Sequence, residues 1–388
     1  MPEATTCHAY VGTFELRGEG SGIRIIEFDM ATGAIVAGDT VPVSNPSHLA
    51  IAVRRGMLFA AAHTAAFEGE PGGAVIAFRI DSVSGALTRA NHQIVPFPHP
   101  NYIVIDHDQA LVLVSSGLGG GVSAFPLGDD GALLPSTTNL LAEGQPMLKL
   151  GETLQNIGGE EFVKRRALST SPHTIMVDPA GRFAVVTDAG QDRLLLYAID
   201  RQHGTLGLHQ ALAIKTKGTA PRHAVFHPNG KALYVVNEAD SSVTTFAFDS
   251  AMGQLTEQAT FASLPAGREV GNAMGDIKID STGRYLYCTN RGDESVSIFA
   301  ATNAGKRLER IDVTPCGGVH PRGLCFSPDE RFLLVANQGP SWRIDRPPEH
   351  GSPDAGVAVF AIDADTGKLS ATGHSVQIDS ATCIAFNG

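Results

Sequence analysis

Short apolar runs follow one another along the whole chain, each cut off by a polar turn rich in Gly, Pro, Asp or Asn. Runs of this kind predict β-strands, and none reaches the 18 apolar residues of a membrane span. The pattern also repeats. Residues 171–188 align without a gap with residues 220–237: both read Pro, polar pair, apolar run, Pro-x-Gly turn, second apolar run. Each copy continues into a third apolar stretch, 193–199 and 242–248, and closes on a Gly-x-Leu turn, Gly204-Thr205-Leu206 and Gly253-Gln254-Leu255.

Further copies begin near Pro46, Pro100, Met274 and Pro321, so the anchors lie 47 to 54 residues apart except for one interval of 72. That period is the length of a four-stranded propeller blade. Six internal copies leave strand-like pieces at both ends. The piece around Tyr10 and 22–28 matches the later strands of a unit, and Thr382–Phe386 matches the first. The chain is therefore predicted to be all-β: one domain over 1–388, a seven-bladed β-propeller whose ring is closed by strands from both termini, leaving no open sheet edge. No Trp-Asp dipeptide recurs and the sole tryptophan, Trp342, falls in a loop, which excludes a WD40 array. Two insertions break the period, near 141–170 and near 339–356, the second holding Trp342, Arg343, Arg346 and His350. Both adjoin strand ends where a central channel would open, so each is a lid or a surface excursion.

Composition narrows the function. With 43% apolar and 18% charged residues the chain can bury a core, and a formal charge of −11 with no dense Lys/Arg run argues against nucleic acid and anionic membranes as partners. The first residues lack a basic patch and an apolar stretch, which predicts a cytoplasmic location. Five cysteines without a CxxC pair predict reduced, mostly buried thiols. His8, His92, His99, His107, His203, His209 and His227 scatter without metal-ligand spacing and are expected to be solvated. No metal and no cofactor is implied. The glycine-rich 117–121 joins two strands, so it is a turn and no phosphate cradle.

The propeller reading fixes one face. The start of each first strand and the end of each second strand meet at the same channel mouth, which gathers His173, Arg222, His223, Glu238, Asp276, Arg291 and Arg322 from four consecutive blades. A carboxylate among three guanidinium groups stays ionised and leaves positive charge over for an anionic ligand. The alternative is a structural Arg222–Glu238 ion pair plugging the channel.

The Pro-x-Gly-[Arg/Lys] units, Tyr10-Val11-Gly12-Thr13, Pro221-Arg222-His223, Val236-Asn237-Glu238 and Asn290-Arg291-Gly292 resemble the seven-bladed propeller lactonase family. The resemblance spans nearly the whole chain. It implies catalytic roles for His173, Arg222, Glu238 and Arg291; His223, Asp276, Asn290 and Arg322, from strand ends at the same mouth, are expected to contact substrate. The substrate it implies is a small anionic lactone, of the 6-phosphogluconolactone type, or a muconate-like acid in a cycloisomerase. In the hydrolytic reading His173 takes a proton from water and returns it to the ring oxygen, while Arg222 and Arg291 stabilise the oxyanion and Glu238 orients Arg222 through a bidentate pair. Two other classes remain open: a non-enzymatic binding platform, and a metal-dependent lactonase using Glu238, Asn237, Asn290 and Asp276 as oxygen ligands. The sequence leaves the oligomeric state open.

Overall fold

The computed structural model describes residues 6–14, 21–150, 159–340 and 354–387. Trp342, Arg343, Arg346 and His350 lie outside the described residues. The described chain forms seven four-stranded antiparallel sheets and one small hairpin. Blades 1 to 6 have as their inner strands Pro46–Ala52, Pro100–Ile105, Pro172–Val177, Pro221–Phe226, Ala273–Ile279 and Pro321–Phe326. Each is followed outward by three strands of its own repeat in chain order, the small hairpin at 66–71 interrupting those of blade 1. Blade 7 is composite: its inner strand is Ala381–Phe386, and Thr6–Thr13, Gly22–Asp29 and Ile35–Pro42 complete it. Inner strands of successive blades touch all the way round, including Ala381–Phe386 against Pro46–Ala52 and Pro321–Phe326. The fold is a seven-bladed β-propeller closed by both ends of the chain.

The strands read as continuous apolar runs because both faces of a blade are buried. Strand residues alternate sides, so in blade 3 Phe183 and Val185 pack toward blade 4, whereas Ala184 and Val186 pack toward blade 2. Seven such clusters fill the gaps between blades. Burying each large aliphatic or aromatic side chain stabilises the fold by about 1.5–3 kcal/mol. Outer strands such as Gln254–Ala262 alternate buried and exposed positions, as one solvated face requires.

Turn chemistry sets the first hairpin of each repeat. Asp178 Oδ1 accepts the backbone N–H groups of Arg182 and Phe183, each at 2.7 Å, and Gly181 adopts φ 66°, where a side chain would be strained. Polar side chains then tie blade to blade near the axis: Ser47 Oγ donates to the Pro100 carbonyl, Ser115 Oγ to that of His173, and Thr187 Oγ1 to that of Arg222. All five cysteines are free thiols, three of them buried. Among the described residues no helix is long and apolar enough to cross a membrane. Two histidines expected to be solvated are not: His99 packs against His63 with their Nδ1 atoms 3.2 Å apart, and His227 is buried beneath a turn where its Nδ1 accepts from the Asn229 N–H.

The first insertion is pinned at both ends. Its helix, Gly159–Leu168, leads into Ser169 and Thr170. Thr170 N donates to the Gln145 carbonyl, Thr170 Oγ1 to Asp188, and Gln191 Nε2 to the Ser169 carbonyl. Gly190 makes this docking possible, because a Cβ there would lie 2.0 Å from the Ser169 carbonyl oxygen and 2.7 Å from that of Arg166.

Candidate active site

One residue per blade stands just past the end of the second strand, at the channel mouth. Its backbone N–H reaches the carbonyl of the residue that precedes the inner strand: Phe14 to Ser380, His63 to Asn45, Ala189 to Ser171, Glu238 to Ala220 and Gln338 to His320, at 2.9 to 3.1 Å. Arg291 holds this place in blade 5, since Asn290 before it pairs with Met274 as Asn237 pairs with Pro221. Small residues occupy blades 2 and 3, where the insertion lies across the rim, and charged or amide residues occupy blades 4 to 6.

Glu238 is the hub. Its Oε1 accepts from Arg291 Nη2 at 2.5 Å and its Oε2 pairs with Arg166, delivered by the insertion helix. Arg222 Nε lies 3.8 Å from Oε1. Burial alone would raise the Glu238 carboxyl, but the guanidinium groups of Arg166, Arg291 and Arg222 outweigh it and hold it well below the usual range. Arg291 is itself fixed by its Nη2 donating to the Met274 carbonyl at 2.7 Å. Arg322 sits over the Phe14 ring at 5.8 Å, and burial beside Arg291 brings its pKa down to about 10. Three guanidinium groups thus hold one carboxylate, and Arg322 is a fourth whose charge it offsets.

Below the mouth a cavity of about 260 Å³ runs along the axis, lined among others by His48, His173, Arg222, His223, Asp276, Lys278 and Arg322. Arg222 is 2% exposed and its Nη1 donates both to the Gly275 carbonyl at 2.6 Å and to His223 Nε2 at 3.0 Å. His223 Nδ1 is 2.7 Å from Asp276 Oδ1. That chain of donors assigns His223 the neutral Nδ1–H tautomer, and burial next to Arg222 lowers its pKa to about 3. Asp276 is ionised despite burial, because Lys278 at 3.2 Å and the His223 bond hold its carboxyl well below the usual range. Lys278 gains in return: Asp276 raises it above the usual lysine value against burial. His173 packs against His223, ring centroids 5.1 Å apart. Burial first, then Arg222, His223, Arg166 and Arg322, push its imidazole well below 6.5, so it is neutral at physiological pH. Its Nδ1 and Arg222 Nε are buried without a hydrogen-bond partner.

The sequence-predicted residues separate into three groups. His173, Arg222, His223, Asp276 and Arg322 line the cavity, and Glu238 and Arg291 stand at its mouth. Asp276 faces the cavity with both oxygens already engaged, by His223, Lys278 and the Leu324 N–H. Asn290 is not brought to the site. As the strand residue before Arg291 it faces the other way, bonded to Ser263, Ser295 and Ser297. The expected bidentate Glu238–Arg222 pair is also absent: Arg166 and Arg291 take the carboxylate oxygens, and Arg222 turns its Nη1 to Gly275 and His223. Of the oxygen donors considered for a divalent ion, the two carboxylates are held by cations and Asn290 Oδ1 accepts from Ser263, whereas Asn237 engages only its Nδ2, with Ser242 and Thr244, and leaves Oδ1 without a partner.

Comparison with known proteins settles the family. Residues 8–386 match the family described as lactonase, 7-bladed beta-propeller. The chain belongs to that lactonase family. A 6-phosphogluconolactonase of Bacillus subtilis (strain 168) is 26% identical over 383 residues, covering 97% of each chain. One of Pectobacterium carotovorum subsp. carotovorum (strain PC1) is 30% identical over 296 residues, 76% of each. The solved structure of a periplasmic gluconolactonase from Pseudomonas aeruginosa superposes with a TM-score of 0.82 at 26% identity, over 98% of this chain and 99% of that one. These lactonase relatives are lactone hydrolases by name, and nothing in the site favours ring closure over ring opening.

Proposed function

We propose that this lactonase hydrolyses a small anionic sugar-acid lactone, of the 6-phosphogluconolactone type, at the channel mouth. The observation that carries the reading is the convergence of Arg166, Arg222 and Arg291 on a single carboxylate, with Arg322 lining the cavity beside them, which leaves unneutralised positive charge at the head of a small cavity. The names of the full-length relatives support the substrate class.

His173 is the proposed base. Neutral, buried and with Nδ1 unpartnered, it takes a proton from water as the water oxygen bonds to the lactone carbonyl carbon. The carbonyl oxygen becomes an oxyanion stabilised by Arg222, whose Nε–H lacks a partner in the free site. Collapse breaks the bond between that carbon and the ring oxygen, and the imidazolium returns its proton to the departing alkoxide. Arg166 and Arg291, held by Glu238, bind the substrate's anionic group, with Arg322 beside them. Glu238 is too weak a base to share the proton transfer; it keeps two guanidinium planes in place.

Proton release in a pH-stat tests this with 6-phosphoglucono-δ-lactone against glucono-δ-lactone. The phosphorylated lactone should have the higher kcat/KM, and His173→Ala and Arg222→Ala should each lose at least about a hundredfold. Wild-type protein that accelerates neither lactone would end the proposal.

A further inference from the structure

Gln338 occupies the blade 6 place in the mouth ring that Glu238 fills in blade 4 and Arg291 in blade 5. Its backbone is fixed by its N–H donating to the His320 carbonyl at 3.1 Å. The side chain is 1% exposed, yet neither Nε2 nor Oε1 has a hydrogen-bond partner. Such an amide is costly to bury: two donors and one acceptor are withdrawn from water with nothing in exchange. Proteins retain groups of this kind where a bound molecule completes them. Other buried atoms without a partner are His173 Nδ1 and Arg222 Nε, in the reacting centre, and single atoms beside the ring such as Asn237 Oδ1, Asn337 Oδ1 and Thr64 Oγ1; among the described residues Gln338 is the one amide that leaves both its donor and its acceptor function unmet.

We infer that Gln338 is a specificity residue of this lactonase, grasping a substrate hydroxyl so that the site selects polyhydroxylated lactones over bare ones. This rests on the lactonase reading above. The match is chemical: a hydroxyl both donates and accepts, and a primary amide is the side chain that offers both functions at once. The arginines attract any small anion and cannot count hydroxyls. An amide at the same rim, in the same strand register as Glu238, supplies the missing discrimination, because a site built to hydrogen-bond a hydroxyl rejects the analogue that lacks it.

The test uses Gln338→Met, which keeps length and removes both polar functions, with glucono-δ-lactone and δ-valerolactone as neutral lactones with and without hydroxyls. The expected result is a loss of kcat/KM on glucono-δ-lactone of about tenfold to a hundredfold, with little change on δ-valerolactone. The free variant should also melt about 1–3 °C higher, since an unsatisfied buried amide has been replaced by an apolar chain. Gln338→Leu provides the same comparison if the Met variant folds poorly. Unchanged activity on the hydroxylated lactone, equal loss on both lactones, or a lower melting temperature would each overturn the assignment. Wild-type protein inactive on every sugar lactone would instead remove the lactonase reading on which it rests.

Discussion

Arg222 is held from below by a line of groups, His223, Asp276 and Lys278, that ends in a cation. Asp276 offsets Lys278 and fixes the tautomer of His223, whose free lone pair then aims the Arg222 guanidinium. This arrangement keeps His223 from competing with His173 for the proton, and it makes the acid side of the pH profile diagnostic. With His173 pushed well below 6.5, kcat/KM corrected for spontaneous hydrolysis should stay flat from about pH 8 to about pH 6 and fall only below that. A bound anion raises His173, so kcat should begin to fall at higher pH than kcat/KM. An acid limb of kcat/KM centred near 6.5 would place the base elsewhere.

At the scale of elements, the insertion helix is part of the site through Arg166, and its position depends on Gly190. Gly190→Ala should displace the helix end and withdraw Arg166 from Glu238, raising KM for 6-phosphoglucono-δ-lactone about tenfold, as Arg166→Gln should. The two losses should not add in the double variant; full additivity would show that Gly190 acts by another route. This element also marks where the sequence stops being readable. The repeat period carried the ring, the composite blade and the register that brings Glu238, Arg291, Arg222 and Arg322 to one mouth, because each follows from counting along a strand. Arg166 sits where the period is broken, and no count tells where an insertion returns. Lys278 reads as an ordinary polar strand residue until the ring sets it beside Asp276. Asn290 and Arg291 adjoin at one strand end but face opposite ways, so a reading that takes the two together assigns both to the site. Arg222 and Glu238 share a blade, which suggested a direct pair; guanidinium groups from outside that blade reach the carboxylate first.

For the molecule as a whole, a ring of blades with histidines buried along its axis is sensitive to acid. His48 and His223 titrate only near 3 when folded, both through burial and neighbouring cations, and His63 and His173 are also lowered well below 6.5. Unfolded, each binds a proton below about 6.5 that the folded state refuses, so stability is full above that value and declines as pH falls, by about 1.4 kcal/mol per pH unit for each such group. Urea midpoints should therefore drop steadily between about pH 6.5 and pH 5. A flat profile there would show that these rings are not neutral and enclosed in solution.

The register of the composite blade has a practical side. Ala381 pairs with Thr13 at the mouth, whereas Phe386 pairs with Ala9 and Asn387 reaches His8 on the opposite face. Thr6 and Asn387 thus lie toward the face opposite Glu238 and Arg291. A label or linker attached at Thr6 or Asn387 sits on the face opposite the arginine-rimmed opening and leaves that opening turned outward to incoming substrate.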